Sequence, residues 1–212
     1  MRPVSGDVDE ARKRAYRYWY EDGLSEVAVG FLFILIALAL GVQAMLPAGS
    51  AAAFLSELAF PVVVIGGMWA ARRLVNAAKE RITYPRTGYV RYRRPGPRRR
   101  WLSALIGGGM GAIAAFLFAQ GPASLAWIPL LQGLIVGAAL LYIGSRLDLL
   151  RFYASAALSV LMGAAITLGG TAHLIGSAAY FGGLGVMLAA MGAFTLRSYL
   201  RQTQPTSEMG EG

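Results

Sequence analysis

The segment Val27-Ala28-Val29-Gly30-Phe31-Leu32-Phe33-Ile34-Leu35-Ile36-Ala37-Leu38-Ala39-Leu40-Gly41-Val42-Gln43-Ala44-Met45-Leu46 runs for 20 residues without a charge. A helix rises about 1.5 Å per residue and the hydrocarbon core of a bilayer is roughly 30 Å thick, so about 20 such residues cross it once. Five further segments meet the same requirement, at about 51–71, 101–119, 124–144, 152–170 and 175–196. None alternates apolar and polar residues with the two-residue period of a barrel strand, and in lipid only helices and closed barrels satisfy every backbone polar group. The expected fold class is all-α: a polytopic membrane protein with six transmembrane helices in three hairpins. A cleaved signal peptide, with Val42-Gln43-Ala44 as its small-residue site, is the competing reading of the first segment. Against it stand a long preceding stretch of mixed charge and an apolar run beyond the usual signal core.

Composition agrees with lipid as the solvent. The chain has 212 residues, of which 56% are hydrophobic and 15% charged. It holds no cysteine and one histidine. That excludes a disulfide scaffold, a thiolate nucleophile, a cysteine-held metal and a histidine-cluster centre within one chain. No zinc-binding helix motif, nucleophile elbow or spaced aspartate pair is present, and His173 has no acidic neighbour in sequence. The expectation is a protein that is not an enzyme, with no catalytic residues, no metal and no cofactor.

The 20 Lys and Arg residues set the orientation. Five precede the first span, eleven lie between the second and third, two flank the turn between the fourth and fifth, and two follow the sixth. The connectors near 47–50, 120–122 and 171–173 carry none. Positive residues resist translocation, so both termini and the long loop are expected on the cytoplasmic side of the cell inner (plasma) membrane. The organisation that follows is a cytoplasmic interfacial amphipathic helix at 1–26 and a first transmembrane hairpin at 27–71. A basic cytoplasmic loop at 72–100, second and third hairpins at 101–196 and a cytoplasmic tail at 197–212 complete it.

The loop is the most unusual stretch, with eleven basic residues against one carboxylate, Glu80. Residues 72–81 can extend the second helix beyond the membrane surface. Pro85 and Gly88 then bracket a turn, and Tyr89-Val90-Arg91-Tyr92 alternates like a short strand. Three readings compete. The first is topological: the loop holds the inner side inside and rests on anionic lipid headgroups of the bilayer. The second is a docking surface for a cytoplasmic protein partner. Arg86, Arg91, Arg93, Arg94, Tyr84, Tyr89 and Tyr92 are the lipid- or partner-binding candidates. The third is a phosphate-bearing ligand or nucleic acid, for which there is neither a glycine-rich phosphate loop nor an RNA-binding signature.

The string Tyr84-Pro85-Arg86-Thr87-Gly88-Tyr89-Val90, together with Tyr18-Trp19-Tyr20-Glu21-Asp22-Gly23-Leu24, resembles uncharacterised bacterial integral membrane proteins that carry the former between their second and third spans. The resemblance covers those two stretches and the hydropathy, and it implies no activity.

Elsewhere the residues offer smaller signals. Asp7 with Glu10 can cap an interfacial amino-terminal helix, with Val8, Ala11, Ala15 and Trp19 on one face. Glu21, Asp22 and Glu26 are placed to pair with the basic loop, a structural role. Glu57 is the clear ionisable residue inside a span, about 9 Å from its outer end. With Gln43 and His173 it forms a candidate solute or ion site at the outer end, completed by other copies if the chain is a homo-oligomer. Glu57 snorkelling into water is the alternative. Gln132, Ser159 and Thr167 are the deeper polar groups, and no polar chain across the bilayer is evident from them. Gly107, Gly111, Gly163, Gly182, Gly183 and Gly185 mark packing seams, within one chain or between copies. Pro61 in the second span and Pro129 in the fourth each remove a backbone donor and are expected to bend or locally open their helices. The openings Arg17-Tyr18, Arg100-Trp101 and Arg151-Phe152 suggest three degenerate copies of a two-helix unit, or simply three interfacial boundaries.

Overall fold

A computed structural model of the chain describes residues 20, 22–82, 116, 119, 121 and 125–202. Among the described residues the protein is all-helical, with no strand. Within the described residues five helices are long and apolar enough to cross a membrane: α1 (Leu24–Met45), α2 (Ala51–Ile82), α3 (Ile128–Leu147), α4 (Leu150–Leu168) and α5 (His173–Gln202). Of the expected third span only Phe116 and Ala119 are described, both helical. The rest of 101–119, with Gly107 and Gly111, lies outside the described residues.

The helix ends follow from local chemistry. Gly23 takes the left-handed conformation at φ 71° and so turns the chain into α1, while an Asp22 carboxylate oxygen accepts the Leu24 N–H at 3.1 Å. That oxygen satisfies one of the donors a helix start leaves open. Pro47 to Ser50 reverse the chain, with Gly49 at φ 75°, and the Ser50 hydroxyl accepts the Ala53 N–H at 3.1 Å to cap α2. Helix α2 continues through Pro61 and past Arg72 and Arg73 to Ile82, as the reading of residues 72–81 anticipates. Pro129 corrects the sequence reading: it sits in the first turn of α3, where its missing N–H breaks no helical bond, so it starts the helix and does not bend or open it. The Thr167 hydroxyl of α4 accepts the Leu130 N–H at 3.1 Å and supplies the next donor of that turn with its partner.

Packing divides the helices into two tight pairs, α1 with α5 and α3 with α4, with α2 lying against α1. Both tight pairs are antiparallel and close at glycine. A Cβ on Gly30 would stand 2.5 Å from the Ala189 nitrogen, and one on Gly163 would stand 2.5 Å from the Pro129 carbonyl oxygen. Such backbone-to-backbone approach is how helices associate where lipid removes the hydrophobic incentive. Of the expected seam glycines, Gly163 and Gly185 therefore serve within one chain. Although a short turn joins α4 to α5, the main partner of α4 is α3 and that of α5 is α1.

Large apolar side chains face outward, among them Phe31, Leu38, Val62 and Phe194 at 63%, 63%, 70% and 77% exposure. In water such a surface aggregates; in a bilayer it is the lipid contact. All described Lys and Arg lie toward one end of this up-and-down bundle, on the later part of α2, the end of α3, the start of α4 and the end of α5. The turns at the opposite end carry none.

Candidate functional site

The basic end holds an ion-paired cluster assembled from four helices. Asp22 is fully buried, and its second carboxylate oxygen accepts a hydrogen bond from Lys79 Nζ at 2.8 Å; the two side chains are 0% and 1% exposed. Gly23 positions this aspartate, since the left-handed turn brings the chain against α5. A Cβ there would meet the Gly192 carbonyl oxygen at 2.4 Å. One turn along α1, Glu26 is 3% exposed and meets Arg151 of α4, Oε1 to Nη2 at 2.8 Å. The pair is Coulombic in geometry. The Arg151 hydrogens point to the Tyr20 carbonyl oxygen and to Thr195 Oγ1 at 3.2 Å, so among the described residues neither Glu26 oxygen receives an aligned hydrogen bond. Phe152 stacks edge-on with Tyr20 at 5.8 Å and fixes that residue over α4.

From Arg151 a polar stripe continues up α4 at four-residue intervals: Arg151, Ser155, Ser159, Gly163, Thr167. Spacing by four keeps successive members adjacent while advancing about 40° per step, so the row winds around α4, and at about 1.5 Å per residue it spans about 24 Å. Ser155 lies 3.7 Å from Met191 Sδ. Ser159 Oγ is 2.7 Å from Tyr180 Oη and donates to the Gly133 carbonyl at 3.0 Å. Tyr180 also reaches the Gln132 carbonyl at 3.3 Å, and Gln132 Nε2 donates to Ser177 Oγ at 3.0 Å. Gln132 Oε1 is buried without a hydrogen-bond partner among the described residues. The row turns from α5 to α3 as it ascends: Arg151 and Ser155 meet α5, Ser159 meets both helices, and Gly163 and Thr167 meet α3.

Arginine with glutamate at one end and neutral hydroxyl and amide groups beyond can lock helices together and hydrogen-bond a neutral molecule. Among the described residues no group of histidine and acidic side chains could hold a metal ion. Tyr180→Phe tests the central link. It removes the bond to Ser159 while keeping the packing against Leu184 and Leu188, so a loss of about 1 kcal/mol is expected in reversible unfolding from mixed micelles.

The residues expected from sequence fall differently. Asp22 does pair with the basic 72–100 segment, through Lys79. Among the described residues Glu26 is ion-paired with Arg151 at the start of α4, while residues 83–100 of the basic segment lie outside the described residues. Glu57 is exposed on α2 while Gln43 and His173 are half-buried, and among the described residues no hydrogen bond or ion pair joins the three. Arg86, Arg91, Arg93, Arg94, Tyr84, Tyr89, Tyr92 and Glu21 lie outside the described residues, as do residues 1–19, where the amino-terminal helix is expected. Arg151, Ser155, Ser177 and Tyr180 are not among the site residues expected from sequence; the four-residue recurrence on α4 is the available signal for Arg151 and Ser155, and Ser177 and Tyr180 on α5 have none. Comparison with known proteins adds no relative: no family model, no curated protein and no solved structure matches this chain.

Proposed function

We propose that the chain is a six-span protein of the inner (plasma) membrane, arranged as three sequential hairpins with both termini cytoplasmic. It acts as a non-enzymatic interaction module whose Arg/Tyr loop engages anionic lipid headgroups. The buried Asp22–Lys79 pair carries the proposal, because it ties the end of α2, from which the loop departs, to the start of α1. A loop that only marked topology would gain nothing from a fixed base, whereas a docking loop is held at a set height over the surface it meets. Arg73 over the Trp69 ring at 4.2 Å suits the headgroup zone of that helix. The concentration of Lys and Arg at this end supports the cytoplasmic assignment.

The test uses protein in zwitterionic nanodiscs and vesicles rich in phosphatidylglycerol. Each arginine near such a surface contributes at most about 1 kcal/mol, so Arg91, Arg93 and Arg94 changed together to Gln are expected to weaken capture about tenfold at low salt. Capture equal to that of the parent across the salt range would remove lipid docking and leave a protein partner as the reading of the loop.

A second reading, a small transporter, is favoured by the polar groups along the α4 stripe. It would place the solute site at Gln132, Ser159, Ser177 and Tyr180 rather than around Glu57.

A further inference from the structure

Contacts within the helix pairs differ in kind from contacts between them. Inside α1/α5 and α3/α4 backbone meets backbone: a Cβ on Gly185 would stand 2.8 Å from the Gly30 carbonyl oxygen, and one on Gly133 would stand 2.7 Å from that of Ser159. Neither pair can slide or part without losing the whole seam. Between the pairs the contacts are made through side chains. The flexible thioether of Met162 reaches Gly183, Ser155 meets Met191, and Tyr180 with Gln132 bridges through hydroxyl and amide groups. Each of these changes partner by rotating a bond, and methionine repacks at little cost.

The charged link across this seam is Arg151. It leaves α4 and binds Glu26 of α1, Thr195 of α5 and the Tyr20 carbonyl together. Asp22 and Lys79 face it from the α1/α2 side, already engaged with one another. Behind Arg151 lie uncharged groups that water can hydrogen-bond, among them Gln132 Oε1, buried without a partner among the described residues. A buried acceptor without a donor favours any state in which one arrives.

We infer that the pairs α1/α5 and α3/α4 move as two bodies, and that the seam between them opens to water from the basic end when the Arg151 link is released. The link is a latch, and the seam it closes is the hydrogen-bonding surface of α4 and α5. This inference stands apart from lipid docking by the loop, and loss of docking leaves it untouched.

The absence of native cysteine allows a direct test. Ser159→Cys places one thiol on the seam at the middle of α4, about two turns beyond the latch, at a position that is 0% exposed. In reconstituted liposomes its modification by an uncharged, water-soluble maleimide reports water reaching that depth. Adding Arg151→Gln is expected to speed modification about tenfold, the effect of shifting the closed state by about 1.4 kcal/mol. Glu26→Gln is expected to act in the same direction. If Arg151→Gln does not give monodisperse helical protein, Arg151→Lys replaces it, keeping the charge opposite Glu26 while losing the three-way reach, and the same acceleration is expected. An unchanged rate in a folded latch variant would overturn the inference.

Discussion

Lys79→Met is expected to lower the stability of the bundle by about 3–5 kcal/mol, the usual cost of removing one partner from a buried ion pair. Asp22 has no exposure through which to hydrate, and both of its oxygens are committed, one to the Leu24 N–H and the other to Lys79. Methionine matches the lysine stem in length but removes the hydrogen bond and the positive charge that Nζ supplies to the carboxylate. At the scale of this chain the loss corresponds to a drop of about 10 °C in melting temperature. Reversible unfolding in mixed micelles, followed by far-ultraviolet circular dichroism, measures it. The decisive comparison is the double variant Asp22→Asn with Lys79→Met. Asparagine keeps a carbonyl for the Leu24 N–H and removes the buried charge that Lys79 balanced, so most of the stability is expected to return. A single variant costing less than about 1 kcal/mol would mean that the pair behaves as a surface contact, with no anchoring role for the base of the loop.

The elements that were legible in the sequence are those that depend on solvent alone. The apolar runs at 27–46 and 51–71 became α1 and the first part of α2 because lipid requires unbroken helix, whatever packs beside it. The end of α2 was legible as an extension, since Leu74, Val75, Ala77 and Ala78 continue a helix after the hydropathy has fallen. What hydropathy does not encode is partner choice. In lipid one apolar face resembles another, so association is decided by shape, and the matching seven-residue spacings Gly23/Gly30 and Gly185/Gly192 identify partners only when both helices are seen. Pro129 was misplaced for a related reason. The apolar run begins before the helix does, and the proline marks the true start.

The candidate site was half-legible on the same grounds. An acidic Asp22 beside a basic segment announces a pair, but its specific partner, Lys79, depends on how far α2 extends. Arg151 reads in sequence as one more interfacial arginine. Its meeting with Glu26 requires α4 to stand beside α1 and α5, a tertiary fact. Tyr180 is silent because an isolated tyrosine inside a span is equally at home in a packed core, and only Ser159 opposite makes it part of a network.

Two glycines on the same helix should respond in opposite ways, and this is the sharpest test of the paired architecture. Gly30→Ile asks for a branched side chain where even a Cβ would lie 2.5 Å from the Ala189 nitrogen and 2.6 Å from the Gly185 carbonyl oxygen. The obstacle is backbone on both counts, so no rotamer relieves it, and α1 must separate from α5. Overpacking ordinarily costs about 1–3 kcal/mol, and a clash with immovable main chain belongs at or above the top of that range, about 3 kcal/mol or more. Separation would also carry Gly23 away from Gly192 and so disturb Asp22, coupling the seam to the ion pair. Gly41→Ala, eleven residues along the same helix, meets nothing within 4 Å. There the added methyl only lowers the entropy lost on forming helix, and a gain of about 0.5–1 kcal/mol is expected. Unfolding of both variants in the same micelles reads the difference directly. Equal, small effects at the two positions would mean that α1 and α5 are not held by backbone contact, and the division of the bundle into two tight pairs would fall with it.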